Sequence, residues 1–387
     1  MSHLDLPPEI LDSVVDLLSN KPETLRQCCL VSKSWVPRAR KHLFAVIVFR
    51  TEGCLNAWKK TFPDPSDSPA HHTHDLTIKF LGVITEDGCI PTFPRLARLK
   101  VVETPGLGCR HMNPAAFQEF PHTLKSLSVT SFSLTLSQVF SLIRSIPFLE
   151  DLSLTGRAAD INYNDQDGLR IVAPPPTSPP FTGALGLSMF RGTTDAAQRL
   201  LNLPNGLRFR KLQLQRCSRG DLHYVMELVT ACSDTLECLD ITCPPEGAIH
   251  FCQTRHLLTS RSTDRSVPIQ IDLSKAMKLQ HIIFRCGSLR IEWITRTLET
   301  ITPENQGFQR ITVDVDRVRI LVGVDPGVGW PDLDHLLVRF WESRSIRTTL
   351  ESFGRPLRGM MDFAMCLLPE LTKRGAIDLV EEPMFYV

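Results

Sequence analysis

One pattern recurs through most of this 387-residue chain: apolar-x-x-apolar-x-apolar, often soon after a proline. Strong copies are Leu96-Leu99-Val101, Leu124-Leu127-Val129, Leu149-Leu152-Leu154, Phe209-Leu212-Leu214 and Leu236-Leu239-Ile241. They continue at Leu279-Ile282-Phe284, Phe308-Ile311-Val313 and Leu333-Leu336-Val338. Weaker copies are Leu43-Val46-Val48, Leu76-Ile78, Leu185-Leu187 and Ile377-Leu379. Nine of the eleven steps between middle anchors span 23 to 33 residues, so the pattern is a repeat and not a coincidence of composition. The alternating end of each copy suits a strand with one buried face. Between copies run helical stretches such as LSQVFSLIRSI, DAAQRLLNL, DLHYVMELVTAC and IEWITRTLETI. Pro94, Pro121, Pro147 and Pro331 precede first anchors by two or three residues. Proline cannot continue a helix and biases its predecessor toward extended geometry, so each unit is expected to leave its helix there and enter a strand. The expected fold class is α/β, a solenoid with one parallel strand per unit in a curved sheet and helices outside. A long irregular α/β fold is the alternative that could mimic part of the pattern.

Two stretches break the spacing. Residues 156–182 hold an acidic loop and a proline-rich loop, and residues 253–268 are basic and rich in Ser and Thr. Both are expected to be surface insertions.

Net charge is +1, which gives no general attraction to nucleic acid or to an anionic membrane. The longest apolar run, Leu43 to Phe49, is far short of the roughly 20 residues a spanning helix needs. Asp5, Glu9 and Asp12 interrupt any leader-like apolar run. A soluble protein of the cytoplasm or nucleus is therefore expected. The twelve cysteines include no C-x-x-C, and small buried hydrophobes are their expected role.

The first forty-odd residues differ from the rest. Pro7 and Pro8 precede Ile10, Leu11, Val14, Val15 and Leu18 at helical spacing. Asn20 and Pro22 break that helix, a second fits Glu23–Leu30, and a third fits Ser34–His42. Three helices of this size bury little apolar surface alone, so the module is expected to lean on a neighbour or a partner. The run Leu6-Pro7-x-Glu9-Ile10-Leu11, then Val14, Leu18, Leu25 and Val31-Ser32-Lys33-x-Trp35, resembles the F-box motif. That resemblance covers about a tenth of the chain. It implies docking on a Skp-type adaptor and, through it, a cullin–RING ubiquitin ligase of the SCF (Skp–cullin–F-box) class. Carried over by position, Leu6, Pro7, Ile10 and Leu25 become candidates for the adaptor surface. Val14, Val31 and Trp35 combine core and interface roles. A plain N-terminal helical cap is the alternative reading.

The repeat spacing resembles that of leucine-rich repeats, whose period is roughly 20–29 residues. The expected organisation is an F-box at 1–45 and a leucine-rich-repeat-like, target-binding domain at 46–387. Residues between anchors point away from the core, because side chains alternate across a strand. The expected target-binding face carries Arg98, Lys100, Lys211, Gln213, His281, Arg310 and Arg339. Ser126, Ser128, Asp151, Ser153, Asp240 and His335 share it, and a polar or acidic segment of a protein target is its expected occupant.

The sequence contains no phosphate loop, no G-x-S-x-G and no H-E-x-x-H. Asp160, Asn162 and Asn164 alternate as in a calcium loop, but Asp165 and Ile171 stand where glycine and glutamate are required. His71, His72 and His74 are read as solvated rather than zinc-binding. No cofactor and no intrinsic catalysis are expected. Two rivals stay open: an interaction protein whose F-box-like part serves outside ubiquitination, and an enzyme with an unrecognised pocket.

Overall fold

The computed structural model describes residues 7–64, 67–79, 92–103, 122–131, 135–156, 181–189, 193–203, 206–215, 222–242, 270–286, 291–315, 329–353 and 357–382. Both expected insertions fall almost wholly outside these residues. The chain separates into two compact units, Met1–Pro180 and Phe181–Val387. Each is α/β with parallel strands.

The first unit begins with helices α1 (Pro8–Leu17), α2 (Pro22–Val31) and α3 (Val36–Leu43), with a 3-10 turn at Lys33–Trp35. Prolines stand in the first turn of all three helices, where the missing N–H has no intrahelical partner to lose. Strand β1 (Val46–Phe49) follows directly, then α4 (Glu52–Thr61), capped by Thr51, whose hydroxyl accepts from the Cys54 N–H. Strands β2 (Asp75–Ile78), β3 (Arg98–Val102), β4 (Ser126–Ser131) and β5 (Asp151–Gly156) complete the unit, with α5 (Leu136–Arg144) between the last two. No break separates the helices from the strands at residue 45: the Thr73 hydroxyl donates to the Phe44 carbonyl, and Phe44 packs edge-on against Trp58 of α4.

The second unit alternates β6 (Ala184–Met189), α6 (Thr193–Leu201), β7 (Lys211–Gln215), α7 (Leu222–Ala231), β8 (Cys238–Thr242) and β9 (His281–Arg285). It ends with α8 (Glu292–Glu299), β10 (Arg310–Asp314), α9 (Trp330–Arg344), β11 (Arg347–Phe353), α10 (Leu357–Leu367), α11 (Pro369–Lys373) and β12 (Ile377–Glu382).

Within each unit every strand pairs in parallel with its sequence neighbour. Spatial order therefore equals chain order, the outcome when each strand–helix step rests on the step before it. The register superposes the anchors: Leu76, Leu99, Leu127 and Leu152 form one row, and Leu185, Leu212, Leu239, Ile282 and Ile311 another. All nine are buried. Each such side chain contributes about 1.5–3 kcal/mol of transfer free energy, and the rows run uninterrupted. No helix among the described residues is long and apolar enough to cross a membrane.

Two anchor assignments are corrected. In β1 the buried residues are Ile47 and Phe49, while Val46 and Val48 face outward; Ile47 pairs with Leu76. Four apolar residues in a row carry no alternation, so spacing could not choose the face. The triplet Leu333-Leu336-Val338 lies in helix α9, not in a strand. Leu333, Leu336, Leu337 and Phe340 are all buried at helical spacing, and Pro331 opens that helix rather than ending one. Gly329 at its N-cap has φ +99, and a Cβ there would stand 3.0 Å from the Glu292 backbone nitrogen, so glycine is required. The strand of this unit is β11, whose middle anchor is the buried Thr348, paired with Ile311. A hydroxyl in the anchor position hid it from an apolar pattern.

Candidate functional site

The three N-terminal helices enclose a very small core. Val15, Leu25, Cys28 and Ala39 are its buried members, with Leu18, Cys29, Trp35 and Leu43 packed against them. Leu25, expected on an adaptor surface, points into this core; the position facing α3 is the one that α2 must fill for the helices to close at all. A polar tie reinforces the closure. Asp16 of α1 accepts from Arg38 (Nε to Oδ1, 2.6 Å, and a second bond from Nη2) and meets His42 Nε2 at 2.7 Å. The Arg38 bonds first, and then the His42 bond, hold the Asp16 carboxyl far below the usual carboxylate range.

What this module leaves outside is unusual for its size. Ile10, Val14 and Leu17 form a stripe along α1, and Leu30 and Val31 end α2, all exposed. Leu17 is 83%, Leu30 87% and Val31 70% exposed, values that a helix of an isolated domain seldom tolerates in a group. Pro7 is exposed at the start of the stripe, Trp35 is half-buried against the core, and Leu6 lies outside the described residues. Sequence reasoning missed Leu17 and Leu30. The signal for Leu17 was present: it stands seven residues after Ile10 and three after Val14, on the face opposite Val15.

A second candidate surface is the outward face of the strands. In the first unit Arg98 and Lys100 of β3 are exposed. Arg98 forks onto Asp75 of β2, with Nη2 2.7 Å from Oδ2. Its register neighbours on β4 and β5 are Ser126 and Asp151.

In the second unit the register aligns Lys211, Cys238, His281, Arg310 and Arg347, each the first residue of its strand. Two positions on lie Gln213, Asp240, Ile283 and Thr312. A polar chain crosses these strands. Gln213 Nε2 donates to Asp240 Oδ2 at 3.0 Å. Arg285 holds Asp240 through two bonds of 2.9 and 3.1 Å and Asp314 through a third of 3.0 Å. The Asp240 side chain is 1% exposed, so this is a buried charge with its counter-ion supplied. Bonding to Asp240 raises the Arg285 pKa further. His281 Nε2 lies 2.9 Å from Thr312 Oγ1. Burial first, then Arg310 and Lys211, push its pKa down to about 4, so the ring is neutral at pH 7. Arg285 and Asp314 escaped the sequence reading because they follow the last anchor, where only positions between anchors were considered.

Arg339 is corrected. It is not beside the strand residues but on α9, in a cleft between α8 and α9 shared with Glu292, Arg296, Asp332 and His335. The reason is the helical identity of the 333–338 triplet.

Among the described residues no group of three or more His, Cys, Asp or Glu could hold a metal ion. The His71 and His72 rings touch with centroids 3.8 Å apart and planes tilted by 53°, and burial lowers the His72 pKa. Neither a scan of protein-family models nor a search of curated proteins returned a match for this chain.

Proposed function

We propose that this chain is the substrate-recognition subunit of an SCF-type ubiquitin ligase. In this reading the N-terminal helices are an F-box docking on a Skp-type adaptor, and the strand–helix units are a leucine-rich-repeat-like solenoid that holds a protein target. The single observation that carries the reading is the exposed apolar stripe Ile10, Val14, Leu17, with Leu30 and Val31, on a module whose sequence resembles the F-box. Several large side chains left in water on so small a module are better accounted for by a covering partner than by the module's own stability. The chain itself does no chemistry in this proposal. It raises the effective concentration of a target lysine near a charged conjugating enzyme carried by other subunits. Cytoplasm and nucleus, where such ligases work, are the proposed locations.

The test is capture of a purified Skp-type adaptor by the full chain. The double substitution Ile10→Asp, Leu17→Asp is expected to abolish capture while leaving the thermal midpoint unchanged. Undiminished capture by that variant refutes the docking surface.

A further inference from the structure

The first outward row of the second unit concentrates positive charge without using it. Arg310 and Arg347 are direct register partners on β10 and β11, with His281 the next residue along on β9. Neighbouring strands are roughly 4.8 Å apart, so two guanidinium side chains are rooted side by side, an arrangement that weakens a sheet. The fold does little to relieve it. Among the described residues Arg310 and Lys211 form no ion pair, and the acid that Arg347 reaches, Asp378, is 4.0 Å away. The acids Asp240 and Asp314 are already engaged by Arg285. Neutral His281 adds no further charge and is fixed by Thr312.

These groups open on a cleft of about 490 Å³ lined by Gln280, His281, Gln309, Arg310, Ser345 and Arg347. Among the described residues no carboxylate lines it, and the side chains of Gln280, Gln309, Arg310, Ser345 and Arg347 can all donate. Two guanidinium forks, two amides and a hydroxyl match the planar or tetrahedral oxygens of a carboxylate or a phosphate. Lys211 stands three strands before Arg310 in the same row, roughly 14 Å away, a distance that about four residues of extended peptide cover.

We infer that this strip binds a partner-protein segment bearing two oxyanion groups about four residues apart, the first held by Arg310 and Arg347 and the second by Lys211. The inference rests on the target-binding half of the proposed function. Carboxylate and phosphate supply the same chemistry, and they are separated by experiment.

The assay is fluorescence anisotropy of labelled Gly/Ser peptides with the full chain and no adaptor, so failed adaptor capture and failed peptide binding are independent results. One peptide carries two glutamates at i and i+4, one carries two phosphoserines there, one carries two glutamates at i and i+1, and one is neutral. The i, i+4 acidic peptides should bind, more weakly as salt rises, and the neutral one should not. Tighter binding of the phosphoserine peptide assigns the natural group as phosphate; equal binding of the two assigns carboxylate. Arg310→Gln with Arg347→Gln should weaken binding about tenfold or more, and Arg310→Lys with Arg347→Lys, which keeps charge and fold but loses the forks, by an intermediate factor. Lys60→Gln, on helix α4 of the first unit, should change nothing. Absence of binding by both i, i+4 peptides, or unchanged binding by the Lys double variant together with the Gln one, overturns the site. Equal affinity for the i, i+1 and i, i+4 peptides overturns the two-point geometry.

Discussion

The N-terminal helices and the strands of the second unit dispose of their leucines in opposite ways. Across β6 to β10 the anchor leucines and isoleucines are covered on every strand, and the outward face of β7 to β10 is mostly polar, with Ile283 an exception. In α1 and α2 the buried set is only Val15, Leu25 and Cys28, and comparable apolar side chains stand in solvent. A stacked strand has anchors beside it in the row and helices packed on its apolar face. Among the described residues nothing covers the outer face of α1 or the end of α2, so Ile10, Val14, Leu17, Leu30 and Val31 add nothing to this core. The contrast is therefore one of surface chemistry within one chain: exposed apolar side chains at the helices, charged and hydrogen-bonding groups at the strands.

The largest expected effect lies in the polar chain of the second unit. Arg285→Ala leaves Asp240 buried without its counter-ion and should cost about 3–5 kcal/mol, read as a lowered urea midpoint. A loss under about 1 kcal/mol would mean that the outward face is wetter than its burial indicates.

Next come the anchors. Leu212→Ala should cost about 2–5 kcal/mol. Leu25→Ala, in the helical core, should cost a similar amount locally and release the packing of Trp35, visible as a fluorescence shift. By contrast Leu17→Ala, the same chemical change on the exposed stripe, should stay within about 0.5 kcal/mol while weakening adaptor capture. If Leu17 and Leu25 behave alike in both assays, the division into core and docking face fails.

A smaller effect is expected from pH. The folded His281 pKa, about 4, lies below its ordinary 6.5, so the unfolded chain binds more protons between those values. Stability should fall as pH drops from about 6.5 to 4, and His281→Asn should flatten that slope. In the helical module the sign is that of a depressed acid: the Asp16 contribution is present above the ordinary carboxylate pKa of about 4 and is lost as pH falls below it. Trp35 emission followed through that range in the parent chain and in Asp16→Asn checks this smallest effect; equal acid responses would remove Asp16 from the account.

Sequence alone determined the α/β class, the parallel strands and most of the inward rows, because side-chain period and strand face are local properties that leucine spacing records. It placed Arg98, Lys100, Lys211, Gln213, His281 and Arg310 on strands for the same reason. Three things were left to tertiary packing. The face of β1 was undecidable in a run of four apolar residues, and pairing with β2 chose Ile47 and Phe49. Leu333-Leu336-Val338 satisfies strand and helix spacing at once; burial of Leu337 and Phe340 on the same helix decided for α9, and moved Arg339 with it. Leu25 and Leu17 are chemically identical and both lie on amphipathic helices, so only the approach of α3 to one of them distinguishes core from exposed stripe. Long-range register made the rest: Arg285 reaches Asp240 across 45 residues of chain because parallel pairing aligns their strands, a fact that no local pattern contains.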